Sequence, residues 1–186
     1  MSYHITTDSG TTDTDYVQTN FADESHAFRA VAQQFATIGA GTLTTVKFCL
    51  RKVGSPSDYF YAMIFPDNGG SPALPNSGSS PLATSNNVSA SSLPTSAAQV
   101  AFTFSAPLSL SAGTKYWVVI ARTGSYDSSN YAYGCGKGSY GIAGAWRNES
   151  GAVPPNGWEQ DWEFNIDVQV DSGSAPVFAN ALLDLI

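Results

Sequence analysis

Aromatic and polar residues able to bind sugars are concentrated in the second half of the chain. They are Tyr126, Asn130, Tyr131, Tyr133, Trp146, Arg147 and Trp158. Aromatic rings present an apolar surface to the C–H face of a sugar, while amide and guanidinium groups hydrogen-bond its hydroxyls. The same rings could instead cover the ends of the fold or fill a subunit interface. The sequence leaves both interpretations open.

Residue types that could act in catalysis are present but poorly placed. A hydrolytic triad needs a histidine near the end of a core strand, whereas His4 and His26 lie in a polar N-terminal region. Glu163 and Asp167 could form a carboxylate pair for glycoside hydrolysis. Their alternation with apolar residues instead places them on the solvated face of a strand. We therefore expect a protein that is not an enzyme.

Oxygen-bearing side chains that could ligate Ca²⁺ occur in two predicted loops. They are Asp8, Asp13 and Asp15 in the first, and Asp67 and Asn68 in the second. Neither group has the ligand spacing of an EF-hand, so solvated loops are the simpler interpretation. The two cysteines, Cys49 and Cys135, are too few for a disulfide framework and are expected to be unbridged. The sequence thus predicts no metal site and no cofactor.

The charge balance argues against two classes of partner. The 186 residues include 8 Lys and Arg against 15 Asp and Glu, a net charge of -7. Binding to phosphate groups needs clustered basic residues, so we expect neither a nucleic-acid partner nor a membrane partner. The apolar runs are shorter than the roughly 20 residues that span a bilayer. The first residues also lack the charged and apolar regions of a signal peptide.

The elements that would position these residues are predicted to be β-strands. Gly and Pro are frequent, with 17 and 10 residues, and we find no long window with helical periodicity. Residues 43–52 alternate, with Val46, Phe48 and Leu50 on one face and Cys49 on the more polar face. Residues 27–36 favour a first strand over a short helix.

The strongest strand signal lies in residues 107–122, PLSLSAGTKYWVVIAR. Tyr116, Val118 and Ile120 alternate with Trp117 and Val119, so both faces of the strand are apolar. Such a strand is typical of the centre of a two-layer fold. Its second face should be covered by the N-terminal arm, the C-terminal segment or a neighbouring subunit.

Turn residues predict the connections between the strands. Residues 54–58 are expected to form a hairpin turn that joins strands 43–52 and 59–65 into a meander. Residues 66–81 form a long loop, which is interpreted as a tolerated insertion. Trp146 and Trp158 are placed in Gly- and Pro-rich loops.

The chain divides into three predicted regions. Residues 1–26 form an extended N-terminal arm, residues 27–171 a β-sandwich domain and residues 172–186 a docking tail. The arm is polar and lacks alternation. The tail carries the apolar residues expected to dock on a partner, which are Val177, Phe178, Leu182, Leu183, Leu185 and Ile186.

The pattern over residues 28–170 resembles a known module. QQF is followed by a glycine turn and by TLTTVKFCLRKVGSPSD, LATSNNVSASSLPTS, VAFTFS and LSLSAGTKYWVVIA. This order resembles a jelly-roll-type β-sandwich module of bacteriophage virion proteins and bacterial surface proteins. The resemblance implies an all-β fold with two antiparallel sheets of about four strands each. It also implies a structural or carbohydrate-binding role rather than catalysis.

Two functional hypotheses follow. The first is a bacteriophage virion structural protein, a capsid decoration or tail-associated subunit. It would assemble in the host cytoplasm as a homo-oligomer with other virion subunits, through its sandwich, arm and tail, and would reside in the extracellular particle. The alternative is a carbohydrate-binding module that recognises a host-surface glycan through its loop aromatics.

Overall fold

The computed structural model describes residues 2–6, 17–20, 30–124, 129–136, 145–148, 158–160, 164 and 166–172. The strands are β1 (Ser2–Thr6), β2 (Val17–Asn20), β3 (Ala30–Ala36), β4 (Gly41–Val53), β5 (Tyr59–Pro66), β6 (Ala83–Thr84), β7 (Val88–Ser89), β8 (Ala98–Leu110), β9 (Lys115–Arg122), β10 (Tyr131–Gly136), β11 (Ala145–Asn148), β12 (Trp158–Gln160) and β13 (Ile166–Asp171). One 3-10 turn spans Ala90–Ser92. Within these ranges, no helix is long and apolar enough to cross a membrane.

The strands form two antiparallel sheets that pack face to face. The first sheet has the order β1-β13-β4-β10-β2, with β8 also paired to β4. The second has the order β12-β11-β3-β9-β5-β6, with β7 also paired to β5. This confirms the predicted all-β, two-sheet antiparallel sandwich. Within the described residues, the sheets contain six and seven strands rather than about four each.

Alternation along the strands builds the core between the sheets. Val46, Phe48 and Leu50 of β4 are fully buried against residues from the facing sheet. Burial of each such side chain contributes about 1.5–3 kcal/mol. Phe164 packs beside Phe48, with ring centroids 5.4 Å apart. The predicted inward face of β4 is confirmed, and Cys49 on its other face is also buried.

β9 is a central strand, as its two apolar faces predict. It pairs with β3 along one edge and with β5 along the other. Val118 and Ile120 face the main core, whereas Trp117 and Val119 belong to a second buried cluster on the outer side of the sheet. Both sides are removed from water, which explains the near-continuous apolar sequence.

The loop after β5 helps to cover that outer face. Ala73 and Leu74 pack against the cluster around Trp117. The loop is ordered by its own polar groups, since Asn68 Oδ1 accepts hydrogen bonds from the Gly70 and Leu74 backbone N–H groups at 2.9 and 3.0 Å. This loop was not among the predicted covers, and it has a packing role that the interpretation as a tolerated insertion missed.

The predicted N-terminal arm contributes strands to the sandwich of its own chain. β1 pairs with β13, and β2 pairs with β10. Ile5 packs against the core. An edge strand needs only one row of backbone hydrogen bonds, so the arm can join a sheet without the apolar alternation that marks a core strand. The tail's candidate docking residues, Val177 to Ile186, lie outside the described residues.

The predicted hairpin at residues 54–58 is wrong in its topology. β4 belongs to the first sheet and β5 to the second, so residues 54–58 cross from one sheet to the other. Gly, Ser, Pro and Asp mark a change of chain direction, but they do not specify which sheet receives the next strand. Trp146 and Trp158 also differ from prediction, because they lie in β11 and β12 rather than in loops.

Candidate functional site

A polar pocket of about 200 Å³ lies at the end of the sandwich where β4 leaves the first sheet. It is lined by the crossing residues 55–58, by Arg122 and Gly124 after β9, and by Asn130 before β10. The pocket therefore forms where the chain passes between the two sheets. The lining combines a carboxylate, a guanidinium, an amide and two serine hydroxyls.

A buried ion pair forms part of the pocket wall. Arg122 Nε lies 2.7 Å from Asp58 Oδ2, and the two side chains are only 4% and 11% exposed. The Gly124 backbone N–H donates to the same oxygen at 3.1 Å. Asp58 Oδ1 is buried and has no hydrogen-bond partner in the described part of the chain. The pair thus fixes one carboxylate oxygen and leaves the other able to accept a hydrogen bond.

Two glycines allow the close backbone approach around this pair. Gly54 has a φ of +67°, and a Cβ there would overlap the Ser129 carbonyl oxygen. A Cβ on Gly124 would lie 2.5 Å from Asp58 Oδ2. Asn130 then holds the crossing segment, since its Oδ1 accepts a hydrogen bond from the Ser55 backbone N–H at 2.7 Å.

Two tyrosines, one on each sheet, directly follow residues that line the pocket. Tyr59 directly follows Asp58 and is 47% exposed. Tyr131 directly follows Asn130 and meets Tyr133 edge to face, with ring centroids 5.2 Å apart. Arg51 lies over the Tyr133 ring at 4.7 Å from its centroid. The tyrosines thus provide aromatic surface next in sequence to two of the polar lining residues.

The pKa of Tyr133 is raised above its ordinary value of 10.0. The largest cause is its hydrogen bond with Tyr131, followed by burial of the phenol and the electrostatic effect of Tyr131. The positive charge of Arg51 partly offsets these effects. The Tyr133 phenol therefore remains a neutral hydrogen-bonding group near pH 7.

The structure brings only some of the predicted glycan-binding residues together. Asn130 lines the pocket and Tyr131 follows it, whereas Tyr126 lies outside the described residues. Four neighbouring strands of the second sheet are paired in one row, in which the successive partners are Ala121, Ala30, Asn148 and Trp158. Three strand spacings separate the ends of this row, which is about 14 Å.

The remaining predicted aromatic positions lie further along the same sheet. Trp146 and Arg147 are in β11, and their backbone partners in β3 are Ala32 and Val31. Trp146 is two residues further from the pocket end than Asn148. The two tryptophans therefore belong to the edge of the second sheet, separate from the pocket.

Sequence reasoning missed Asp58 and Arg122. They are 64 residues apart in the chain, so no local motif connects them. Arg122 nevertheless gave a signal, because it is a charged residue directly after the apolar run Tyr116–Ala121 of a strand predicted to be central. A buried charge at the end of a central strand implies a buried counter-ion.

Asp167 and Asp67, two of the other chemical candidates, have structural partners. Asp167 pairs with Lys47 at 3.0 Å. Asp67 Oδ2 accepts hydrogen bonds from Trp117 Nε1 at 2.8 Å and from Gln34 Nε2 at 2.7 Å. Among the described residues, no group of three or more His, Cys, Asp or Glu could hold a metal ion. His26 and the Asp8, Asp13 and Asp15 group lie outside those residues.

The fold of the chain is similar to that in solved structures of a clostridial surface protein. A structure of the clostridial cysteine protease Cwp84 after propeptide cleavage matches 91% of this chain and 40% of that chain, with a TM-score of 0.56 and 11% identity. A structure of the cysteine protease and lectin-like domains of Cwp84, a surface layer associated protein of Clostridium difficile, matches 78% of this chain and 32% of that chain. Its TM-score is 0.50 and its identity 12%.

These matches establish a shared β-sandwich fold. The chain spans less than half the length of either structure. No protein-family model and no curated protein sequence matches the chain.

Proposed function

We propose that this protein is a non-enzymatic carbohydrate-binding module whose site is the pocket at the end of the sandwich. The observation that carries the proposal is the lining, in which Asp58, Arg122 and Asn130 converge beside two serine hydroxyls. Sugar hydroxyls both donate and accept hydrogen bonds, so such a mixed set of donors and acceptors suits them. Tyr59 and Tyr131, next in sequence to lining residues, add aromatic surface.

The fold comparison supports this proposal. The region of Cwp84 that matches the chain is its lectin-like domain, and that protein is surface-layer associated. A binding role on a sandwich scaffold also agrees with the polar character of the site. Fold alone does not specify function, so the proposal depends on the pocket.

A glycan array with a blocked pocket tests the proposal. Ser57 is an exposed lining residue, so Ser57→Trp fills the mouth of the pocket without disturbing the core. Ser109→Trp is the matched control, because Ser109 is equally exposed on β8 and does not line the pocket. We expect the wild type and Ser109→Trp to bind a common set of glycans and Ser57→Trp to lose at least about tenfold in affinity.

Two results would contradict the proposal. The first is that the wild type binds no bacterial or host-surface polysaccharide on the array. The second is that Ser57→Trp binds the same glycans as well as the wild type does, which would move the site elsewhere, for example to Trp146 and Trp158.

The hypothesis of a bacteriophage virion structural protein stays a prediction. It would gain support if the protein formed homo-oligomers and were incorporated into particles through its N-terminal and C-terminal segments. Light scattering combined with size-exclusion chromatography distinguishes this role from that of a monomeric binding module. A virion subunit can also bind glycans, so the two hypotheses are compatible.

A further inference from the structure

Resting on the proposed function, we infer that the pocket takes a single uncharged, hydroxyl-rich sugar unit at the end of a glycan. In this arrangement one sugar hydroxyl donates its hydrogen bond to Asp58 Oδ1. The inference follows from the charge of the lining, the size of the pocket and the hydrogen bonds already made by Asp58.

The charge balance of the pocket disfavours an acidic ligand. Asp58 and Arg122 contribute one negative and one positive charge, and they pair with each other at 2.7 Å. Among the described lining residues, no second cation is present to receive a carboxylate or sulfate group. The net charge of the whole chain, -7, repels anions further. A neutral ligand needs no second cation in the pocket and is not repelled by the net charge of the chain.

The size of the pocket favours one sugar ring. Its volume of about 200 Å³ is below the roughly 300–1,000 Å³ of pockets for drug-sized ligands. Pro56 is a buried lining residue, so the crossing segment is anchored rather than free to open into a groove. A terminal unit of a glycan needs space for one ring, whereas an internal unit needs space for the chain at both ends, so a pocket of this size favours the terminal unit.

The hydrogen bonds that Asp58 already makes indicate Oδ1 as the acceptor for a ligand. Its Oδ2 already accepts hydrogen bonds from Arg122 Nε and the Gly124 N–H. Its Oδ1 is buried and lacks a partner within the described residues. A buried carboxylate oxygen without a donor is unfavourable, and a ligand hydroxyl that reached Oδ1 after a small movement of the pocket wall would satisfy it. Because a carboxylate only accepts hydrogen bonds, the sugar group that meets it must be a donor.

Titration with matched methyl glycosides tests the inference by calorimetry or saturation-transfer NMR. The panel contains neutral hexosides, neutral N-acetylhexosaminides and the corresponding uronic acids, measured at low salt so that charge effects are not screened. We expect a neutral glycoside to bind at least about tenfold more tightly than its uronic acid. In the preferred glycoside, removal of one hydroxyl should weaken binding by at least about tenfold, because it leaves Oδ1 without a donor.

A charge variant adds a second measurement. Ser57→Lys places a cation at the exposed rim, and Ser109→Lys is its matched control with the same change in net charge. Ser57→Lys should lower the ratio of the affinity for the neutral glycoside to that for its uronic acid, while Ser109→Lys should leave this ratio unchanged.

The outcomes separate this inference from the proposed function. Equal or tighter binding of the uronic acid would overturn the inference and leave a carbohydrate-binding function in place. Glycan binding that requires an oligosaccharide, with no binding of single glycosides, would overturn the claim of a terminal unit. If no saccharide of any kind bound, both the inference and the proposed function would be wrong.

Discussion

Asp67, in the loop after β5, links strands β9 and β3 of the second sheet through one carboxylate. Its Oδ2 accepts hydrogen bonds from Trp117 Nε1 on β9 and Gln34 Nε2 on β3, while Oδ1 accepts one from the Gly69 N–H. Trp117 is fully buried, so its indole N–H depends on this acceptor. The contact explains how a tryptophan can lie on the outer face of a central strand without a lost hydrogen bond.

Removing this acceptor should destabilise the protein. Asp67→Ala leaves the Trp117 N–H buried without a partner, and we expect the free energy of unfolding to fall by about 1–3 kcal/mol. Urea denaturation measures this change. Adding Trp117→Phe removes the orphaned donor, so the double variant should lose less than the sum of the two single variants. Strict additivity would contradict the assigned hydrogen bond.

Loss of the Tyr131 hydroxyl should lower the pKa of Tyr133. Tyr131→Phe removes the hydrogen bond that is the largest cause of the raised Tyr133 pKa, so this pKa should fall toward 10.0. Ultraviolet absorbance of tyrosinate during alkaline titration measures it. Because folding raises the pKa of Tyr133, the folded state favours the neutral phenol. The resulting contribution to the free energy of unfolding is fully present below pH 10 and is lost as the pH rises through the pKa of the folded state. Tyr131→Phe should therefore reduce the loss of stability at alkaline pH. An unchanged Tyr133 pKa in this variant would contradict the hydrogen bond between Tyr131 and Tyr133.

At the scale of elements, β4 and β10 bring the two cysteines together. Gly134 pairs with Leu50, and the same register one step further places Cys135 opposite Cys49. Both side chains are buried. The Cys135 pKa is strongly raised, first by the hydrogen bond with Cys49 and then by burial. The outer face of the first sheet is therefore closed to water at this point.

This pairing predicts unreactive thiols in the native protein. Only the thiolate reacts with disulfide reagents, and each unit of raised pKa removes about nine-tenths of it. At pH 8 we expect modification of native thiols to be more than about tenfold slower than in urea, where both react. Cys49→Ala removes the main cause of the shift, so Cys135 should then react faster than in the wild type. Rapid labelling of the native wild type would contradict the burial of this pair.

Sequence patterns predicted elements better than they predicted the connections between them. Alternation identified β4 and the two-sided apolar β9, because buried faces impose a two-residue period. It could not find β11 and β12, which have only four and three residues. The pocket was missed for a related reason. It forms because residues 54–58 change sheets, which is a property of the whole topology and not of a local turn.

At the scale of the whole molecule, the N-terminal segment belongs to the sandwich of its own chain. β1 pairs with β13 over five positions, and Ile5 packs on the core. A segment that docked only on neighbouring subunits would leave the stability of the monomer unchanged when mutated. The stability of the monomer therefore distinguishes packing of β1 on its own chain from docking on a neighbouring subunit.

Substitutions in β1 distinguish them. Ile5→Ala should lower the free energy of unfolding of the monomer by about 1–2 kcal/mol, since a partly buried side chain loses less than a fully buried one. Ser2→Ala is the control, because Ser2 is exposed in the same strand and its substitution should have little effect. Equal stability of Ile5→Ala and wild type in dilute solution would contradict the packing of β1 on its own chain.

The central claim is that a glycan occupies the pocket at the end of the sandwich. Amide chemical-shift mapping during titration with a glycan that the protein binds tests it most directly, because each residue reports separately. We expect the largest shifts at Ser57, Gly124 and Asn130, with smaller changes at Tyr59 and Tyr131. Shifts confined to β11 and β12 around Trp146 and Trp158, with the pocket residues unmoved, would contradict it.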